Sequence, residues 1–465
     1  MMQKFFDLER IDAKKRSGGE RTKDFNEIYK IFSIEKASGQ SARCIQCGDP
    51  YCHNKCPLHN LIPHWLKATA NRDLELAFSL SNEPSPFPEV LGKICPHDRL
   101  CEGDCTLNEG YGAVTIGSIE TFINEKGFEI GLNPIIVPEK KSNKKVAIIG
   151  AGPAGLSCAT FLLREGIAVE LFDKQNRAGG LLSYGIPGFK LDKSDIERRV
   201  EFLKEAGAKF NQNCEVGKDI SFEELIEKFD AIFIGVGATK GRRANIKGSK
   251  AKGVYLAMEF LTNIQKKLFN EEYDKSIDVK DKRVAVIGGG DTAMDCVRTA
   301  LREKARSVTC YYRRDEANMP GSKKEFINAR EEGVDFEFCS SPKEIITDEE
   351  NRVTGLKMVK TELKEPDSSG RQKVQEVPHS DFRIDADIVI FALGFEPVKY
   401  KFLEKNGIKL NQWGEIIVDD NYQTTREGIY AGGDCFRGAD LVVRAALDGR
   451  ESAKAIAKKL LKKER

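Results

Sequence analysis

One pattern occurs twice in this chain and constrains it more than any other: an apolar strand, a Gly-x-Gly-x-x-Gly/Ala turn, then a helix. It appears as KKVAIIGAGPAGL from Lys144 and as DKRVAVIGGGDTAMD from Asp281. In the first copy Gly150 permits the tight turn, Gly152 lets the backbone approach a pyrophosphate, and Gly155 lets the helix pack on its strand. The helix then points free N–H groups and its positive dipole end at the anion. A second strand ends at Asp173, 18 residues beyond Gly155, where a carboxylate can accept from a ribose 2′-hydroxyl. A merely structural glycine turn would need none of this context.

In the second copy Gly288, Gly290 and Ala293 take the same roles, and Asp291 and Thr292 open the helix. The following strand, VTCYY, ends in Arg313 and Arg314 instead of an acid. Two guanidiniums offer a 2′-phosphate charge-assisted, bidentate bonds, so this site is expected to prefer NADP(H) to NAD(H). The alternative is a solvated arginine face.

Around these turns the chain alternates Val/Ile-rich runs with helices: VAIIG at 146, VELFD at 169, AIFIGVG at 231, VAVIGGG at 284, VTCYY at 308, DIVIFALG at 387 and GIYAGGD at 428. That alternation predicts parallel α/β layers. GLNPIIVPEKKSNKK (131–145) reads as a linker, NEEYDKSIDVKDK (270–282) as a second break, and LKEPDSSGRQKVQEVPHSD (363–381) as a long surface turn. The expected division is a helical domain over 1–140, a first dinucleotide domain over 141–270 and 387–465, and a second over 271–386.

The helical domain holds seven of the thirteen cysteines, all between Cys44 and Cys105. The amino terminus, MMQKFFDLERIDAKK, lacks the apolar core of a signal peptide. A cytoplasmic location is therefore expected, where clustered thiols mean metal or redox chemistry more often than disulfides. Cys44, Cys47, Cys52 and Cys56 have the spacing C-x2-C-x4-C-x3-C-P, and Cys95, Cys101 and Cys105 add C-P-x4-C-x3-C. Cys44 and Cys47 would make a zinc knuckle, but the x3-C-P ending and the density of thiols look more like the ferredoxin run.

Two four-iron clusters need eight ligands, one more than the cysteines supply. In two-cluster ferredoxins the cysteine before the proline serves the other cluster. By that logic Cys44, Cys47 and Cys52 pair with Cys105, and Cys56, Cys95 and Cys101 take a non-cysteine ligand. His53, His59, His64 and His97 lie nearby in sequence.

With 74 Lys+Arg against 72 Asp+Glu in 465 residues, no global charge draws nucleic acid or an acidic membrane. The longest charge-free stretch, Val146 to Leu163, reaches membrane-spanning length, but it contains the first glycine turn. Neither partner is expected.

Thr424 to Asp434 (TTREGIYAGGD) and the small-residue helix after it resemble the closing motif of two-dinucleotide flavin reductases, as do GVGATKGR at 235 and FALGFEP at 391. That resemblance implies FAD in the Asp173 unit, with Gly433 and Asp434 at its ribityl chain and the helix start at Leu441 facing the flavin. More broadly, RCIQCGDPYCHNKCPLHNLIPHW, ICPHDRLCEGDCT, GGLLSYGIPGFKL and YYRRDEANMPGSKKEF together resemble the small (beta) subunits of bacterial NADPH-dependent glutamate synthase. The amino-terminal half of dihydropyrimidine dehydrogenase is similar over the same motifs, and there a glutamine replaces a cluster cysteine. VTIGSIE matches that segment and puts Glu120 where the unusual ligand would be.

The resemblance implies FAD, NADPH and two 4Fe-4S clusters, with Gly180 and Leu181 lining the flavin and Glu325 closing over the nicotinamide. It also implies a large partner subunit, containing FMN and iron–sulfur, that makes glutamate from glutamine and 2-oxoglutarate. A ferredoxin:NADP transhydrogenase large subunit shares these motifs and is the alternative, with a non-enzymatic iron–sulfur scaffold behind it. Asp173 in place of Glu and Ala293 in place of Gly are the departures.

Overall fold

The computed structural model describes residues 2–136, 140–366 and 372–461. Part of the expected linker, 137–139, and the middle of the expected surface turn, 367–371, lie outside them.

The amino-terminal region is helical. Helices Ile34–Ala42, Ile62–Ala70, Leu74–Asn82 and Ile116–Glu129 pack around the fully buried Trp65, with Phe78, Ile119, Phe122 and Ile123, while Pro88–Ile94 buries Val90 and Leu91 in the core of the first dinucleotide unit. Their starts are set by local chemistry: the Ser33 and Asp73 side chains accept from Lys36 N and Leu76 N, and prolines open two others. Cys44 and Cys101 are buried in this same core.

Each glycine turn belongs to its own five-stranded parallel sheet. The first runs in the order Ile429–Ala431, Ala231–Ile234, Lys145–Ile149, Ala168–Phe172, Lys209–Asn211. The second runs Val254–Leu256, Ile388–Phe391, Arg283–Ile287, Ser307–Tyr311, Asp335–Glu337. The two orders are equivalent, so the duplication seen in the turns extends to whole units. The central strands are buried almost throughout, as helix-covered parallel sheets require, whereas the edge strands Lys209–Asn211 and Asp335–Glu337 bury no residue fully.

The pairing corrects the expected boundaries. Ile388–Phe391, assigned to the first unit, pairs in register with Val254–Leu256 and Arg283–Ile287. The second unit therefore begins before Val254 and ends after Phe391. The charged break at 270–282 misled because it follows a crossover helix, Ala257–Leu268, inside the unit. GVGATKGR and FALGFEP meet in a short antiparallel ribbon, Lys240–Gly241 against Phe395–Glu396, where the chain passes between the units.

The expected surface turn is also corrected. Val353–Pro366 and Gln372–Asp385 are the long arms of an antiparallel ribbon, with Ser340–Thr347 as a third strand. The second arm alternates exposed polar with half-buried residues, which reads as polar turn when the partner strand is not known, while the first buries Leu356, Met358 and Val359.

The second unit is also tied to the rest by charge. The Glu332 carboxylate, with its side chain fully buried, lies 2.8 Å from Arg298 Nη2, 2.7 Å from Arg302 Nη1 and 2.8 Å from Arg21 Nε. Burial alone would push its pKa up, but the bonds from Arg298 and Arg302 outweigh it and hold the group at about 2. Its folded pKa is below the unfolded value near 4.5, so its stabilisation is complete above pH ~4.5 and is lost as pH falls towards 2. Glu332→Ala leaves the buried Arg302 without an acidic partner among the described residues and takes one from Arg298 and Arg21, and should cost ~3–5 kcal/mol, read as a lowered midpoint in urea unfolding at pH 7. The gap between variant and wild type should shrink below pH 4.

Candidate functional site

A single cleft of about 1320 Å³ opens between the carboxyl ends of the two sheets, where ligands of open α/β sheets bind. Gly150, Gly152, Asp173, Gly180, Leu181, Gly433, Asp434 and Leu441 line its first half, and Gly290, Asp291, Thr292 and Glu325 its second. Lys93, Ile94, Cys95, Pro96 and Arg99 of the helical domain close one side.

The glycines divide by role as their positions suggest. A Cβ on Gly155 would sit 1.9 Å from Gly150 O, and one on Gly150, at φ +97°, would meet Gly235 O at 2.5 Å. Those two serve the fold. A Cβ on Gly152 would have Gly180 Cα at 3.9 Å as its nearest neighbour, and one on Gly290 would meet nothing within 4 Å. Those two leave room for a ligand. Gly288 stands behind the turn, against Ala392 O, with Ala293 fully buried, so the Ala for Gly exchange is absorbed by packing.

Asp173 is buried and holds the first turn: its Oδ2 accepts from Ala151 N at 2.7 Å and its Oδ1 from Gln175 N at 2.8 Å. Burial raises its pKa despite these bonds. Each oxygen keeps a lone pair that a ribose hydroxyl could use. Asp434 is pushed up to about 7, chiefly by burial and further by Asp440 and Asp448. Near neutrality it can either donate to or accept from a hydroxyl. Gly433 N donates to the buried Asp448 Oδ2 at 3.0 Å, and Arg437 grips the same carboxylate at 2.7 and 2.6 Å.

Glu325 does line the cleft, with its carboxylate held by Arg298 and by Asn328 Nδ2 at 3.3 Å. Burial would raise its pKa, but Arg298, Lys190 and Lys324 overrule it and keep it low. Beside it Lys190 Nζ binds Asp295 Oδ1 at 2.9 Å, a bond between the two units. Arg313 and Arg314 follow strand Ser307–Tyr311 but do not line the cleft. Arg313 is exposed, and Arg314 Nη2 donates to Gln372 O at 3.2 Å. Neither makes an ion pair among the described residues.

The cysteines fall into two groups. Cys44, Cys47, Cys52 and Cys105 line one small cavity with Pro50, Pro63, Leu107 and Ile116. Gln46 N and Nε2 lie 3.4 and 3.3 Å from Cys44 Sγ. Burial, and to a lesser degree the nearby Glu120, raises the pKa of the Cys56, Cys95 and Cys101 thiols, which lie in one neighbourhood. Among the described residues no three such side chains converge tightly enough for a single metal ion, whereas a four-iron cluster asks for a wider cage of thiolates. The cavity with four thiols fits such a group.

Glu120 is buried, and its Oε1 accepts from Asn60 Nδ2 at 2.6 Å, while Asn60 Oδ1 accepts from Trp65 Nε1 at 3.1 Å. Burial pushes the carboxyl up to about 8, with Asn60 opposing. Of the histidines, His53 Nδ1 bonds Asn60 O at 3.0 Å, and His97 packs on Gly117. The sequence reading did not single out Lys190, Asp295, Asn60 or Asp448. Only Asp448, an acid within the small-residue run of the last helix, left a signal there.

Comparison with known proteins follows this geometry. The pyridine nucleotide-disulphide oxidoreductase family matches residues 144–449, and dihydropyrimidine dehydrogenase domain II, 4Fe-4S cluster, matches residues 21–132. The glutamate synthase (NADPH) small chain of Escherichia coli K12 is 48% identical over 97% of both chains, and that of Halomonas elongata 46% over 97% of both. The putative oxidoreductase AegA of E. coli is 47% identical over 94% of this chain and 67% of its own. Among solved structures, Mycobacterium tuberculosis FprA in complex with NADPH superposes with a TM-score of 0.58 at 19% identity, over 69% of this chain and 85% of its own, a likeness of fold.

Two tests address this site. Gly152→Ala should fold normally yet purify with well under one FAD per chain, whereas Gly155→Ala should lower the unfolding midpoint, as flavin absorbance and calorimetry would tell. Glu120→Ala should disturb one cluster and spare FAD, and Cys105→Ala should disturb the other, by paramagnetic resonance and iron content. Full iron and an unchanged spectrum in Glu120→Ala would remove that residue from the ligand set.

Proposed function

The chain belongs to the glutamate synthase (NADPH) small-chain family, and from that premise we propose that it delivers electrons to a large partner subunit that makes glutamate from glutamine and 2-oxoglutarate. It is an NADPH-dependent FAD and iron–sulfur oxidoreductase of the pyridine nucleotide-disulphide class. One observation carries the reading: both glycine turns and Cys95 line the same cleft. Hydride donor, two-electron acceptor and one-electron carriers would then be neighbours.

When bound, FAD takes a hydride from NADPH, and the clusters pass its two electrons on singly. The protein's part is to bind and orient. Gly150 and Gly152 with Asp173, and Gly180 and Leu181 opposite, would hold the flavin nucleotide; Gly433, Asp434 and Leu441 would hold its ribityl chain and ring edge. Gly288, Gly290 and Thr292 would seat NADPH, with Asp291 holding the neighbouring loop through Ser322 N, Arg313 and Arg314 on the 2′-phosphate and Glu325 over the nicotinamide. Cys44, Cys47, Cys52 and Cys105 would hold one cluster, and Cys56, Cys95, Cys101 and Glu120 the other. The hydride transfer itself would need no acid or base from the protein, and the proton left behind once both electrons have gone on singly would pass to water in the open cleft.

The alternative, a large subunit of a ferredoxin:NADP transhydrogenase, uses the same parts and differs in its acceptor. Co-purification from the source cell decides between them: a large glutamine-using partner supports the first reading, and a small flavoprotein partner the second. Anaerobically purified protein should carry about eight irons and one FAD per chain, and zinc in place of iron would overturn the cluster assignment.

Replacing both Arg313 and Arg314 with Ala should raise the KM for NADPH at least about tenfold, since each charged hydrogen bond is worth ~1.5–3 kcal/mol. The kcat should change little, because binding is lost equally in ground and transition states, and NADH kinetics should stay nearly constant. Equal weakening of NADPH and NADH in steady-state dye reduction would make the pair structural.

A further inference from the structure

The helical domain contributes one charged side chain to the nucleotide half of the cleft. Arg99 ends the short turn His97–Arg99, between Cys95 and Cys101. Its Nη1 donates to Pro320 O at 2.8 Å and its Nη2 to Asp291 Oδ2 at 3.3 Å. Asp291 is the first residue of helix Asp291–Arg302, directly after Gly290, and its Oδ1 accepts from Ser322 N at 2.8 Å. Gly321 N in turn donates to Gly289 O at 3.0 Å. Arg99 therefore fastens the 320–322 loop and the glycine turn to the iron–sulfur domain.

Asp291 poses an electrostatic problem for a dinucleotide site. The start of a helix attracts a pyrophosphate, but a carboxylate there repels it at short range. The Arg99 and Asp291 side chains are 44% and 39% exposed, and both line the cleft. The guanidinium thus cancels the acid while keeping further N–H groups free for a ligand anion.

We infer that Arg99 is a nucleotide-positioning residue supplied by the iron–sulfur domain, which neutralises Asp291 and offers its remaining N–H groups to the pyrophosphate of NADPH. The assignment rests on reading the Gly288–Gly290 turn as the NADPH seat. It means that the second nucleotide site is complete only when the helical domain is docked, and that the loop joining Cys95 to Cys101 touches the nucleotide.

The test is calorimetric titration of the iron- and FAD-loaded protein with NADP⁺. Arg99→Ala should raise its Kd about tenfold or more, the scale of one charged hydrogen bond, with iron content unchanged. Adding Asp291→Asn should recover part of that loss, because it removes the repulsion but does not replace the lost N–H groups. Arg99→Gln, which can still donate to Pro320 O but carries no charge, should bind as weakly as Arg99→Ala. A Kd within about twofold of wild type in Arg99→Ala or Arg99→Gln would overturn the inference, as would failure of Asp291→Asn to rescue. Gly290→Val checks the underlying reading separately. A Cβ there meets no protein atom within 4 Å, so the variant should fold, and unaltered NADP⁺ affinity in it would show that the nucleotide sits elsewhere, whatever Arg99 does.

Discussion

The last helix, Val442–Leu460, packs against Pro153–Arg164 so closely that only glycine fits at 449. A Cβ there would lie 2.1 Å from Ala154 O. Small residues on both helices allow this approach, and Ser157 Oγ closes it with a bond to Ala446 O at 2.6 Å. Much follows from the contact. It places the Gly433–Asp434 turn and Leu441 beside the Gly152 turn, and Asp448, one residue before the glycine, holds Gly433 N. The same helix reaches the iron–sulfur domain, where Arg450 Nη1 donates to Leu58 O and Pro84 O, each at 2.9 Å. Flavin half, closing turn and helical domain are thus set against one another by one backbone approach, in an interior packed densely enough that a single methyl group would be felt.

The parts of this molecule that were legible in the sequence are those where chemistry is local. A glycine turn between an apolar strand and a helix carries its own signature, and seven such strands fall where the runs place them. The cysteine grouping was legible because it rests on spacing and a known crossing rule, and the cavity gathers Cys44, Cys47, Cys52 and Cys105 although Cys105 lies beside Cys101 in sequence. Pairing partners were not legible. Nothing in DIVIFALG says which sheet it joins, because a continuous apolar run fits the centre of either. The Gln372–Asp385 arm reads as turn because ribbon strands exposed on one side carry the polar residues of a loop. Lys190–Asp295 and Arg99–Asp291 join residues 105 and 192 positions apart, separations at which no periodicity speaks.

The two glycine-turn units are joined by a two-residue ribbon pair, a connection that by itself would permit hinge motion. The amino-terminal segment works against that freedom. Lys15 Nζ bonds Glu331 at 2.6 Å, Asn328 Nδ2 donates to Tyr29 Oη at 2.9 Å, and Arg302 Nε donates to Asp24 O at 3.0 Å. From the first unit, Phe189 lies under the guanidiniums of Arg298 and Arg302 at 4.3 and 4.0 Å. Arg298 and Arg302 also hold Glu332, with Glu331 and Asn328 taking the other contacts, so the second unit is held from two sides around helix Lys323–Glu331 and the residue after it.

That arrangement suits electron transfer more than it suits a mobile carrier. Cys95 lines the cleft and Cys47 sits half-exposed in the other cysteine group. Electron transfer between such groups needs fixed spacings, and here they are fixed by burial. Cys44 and Cys101, one from each group, share a core with Trp65 and Ile119. The flavin half is bound to that core through Arg450. The nucleotide half is bound to it through Arg99 and the amino-terminal segment. A three-way junction of this kind holds the flavin half, the nucleotide half and the cysteine core in one geometry.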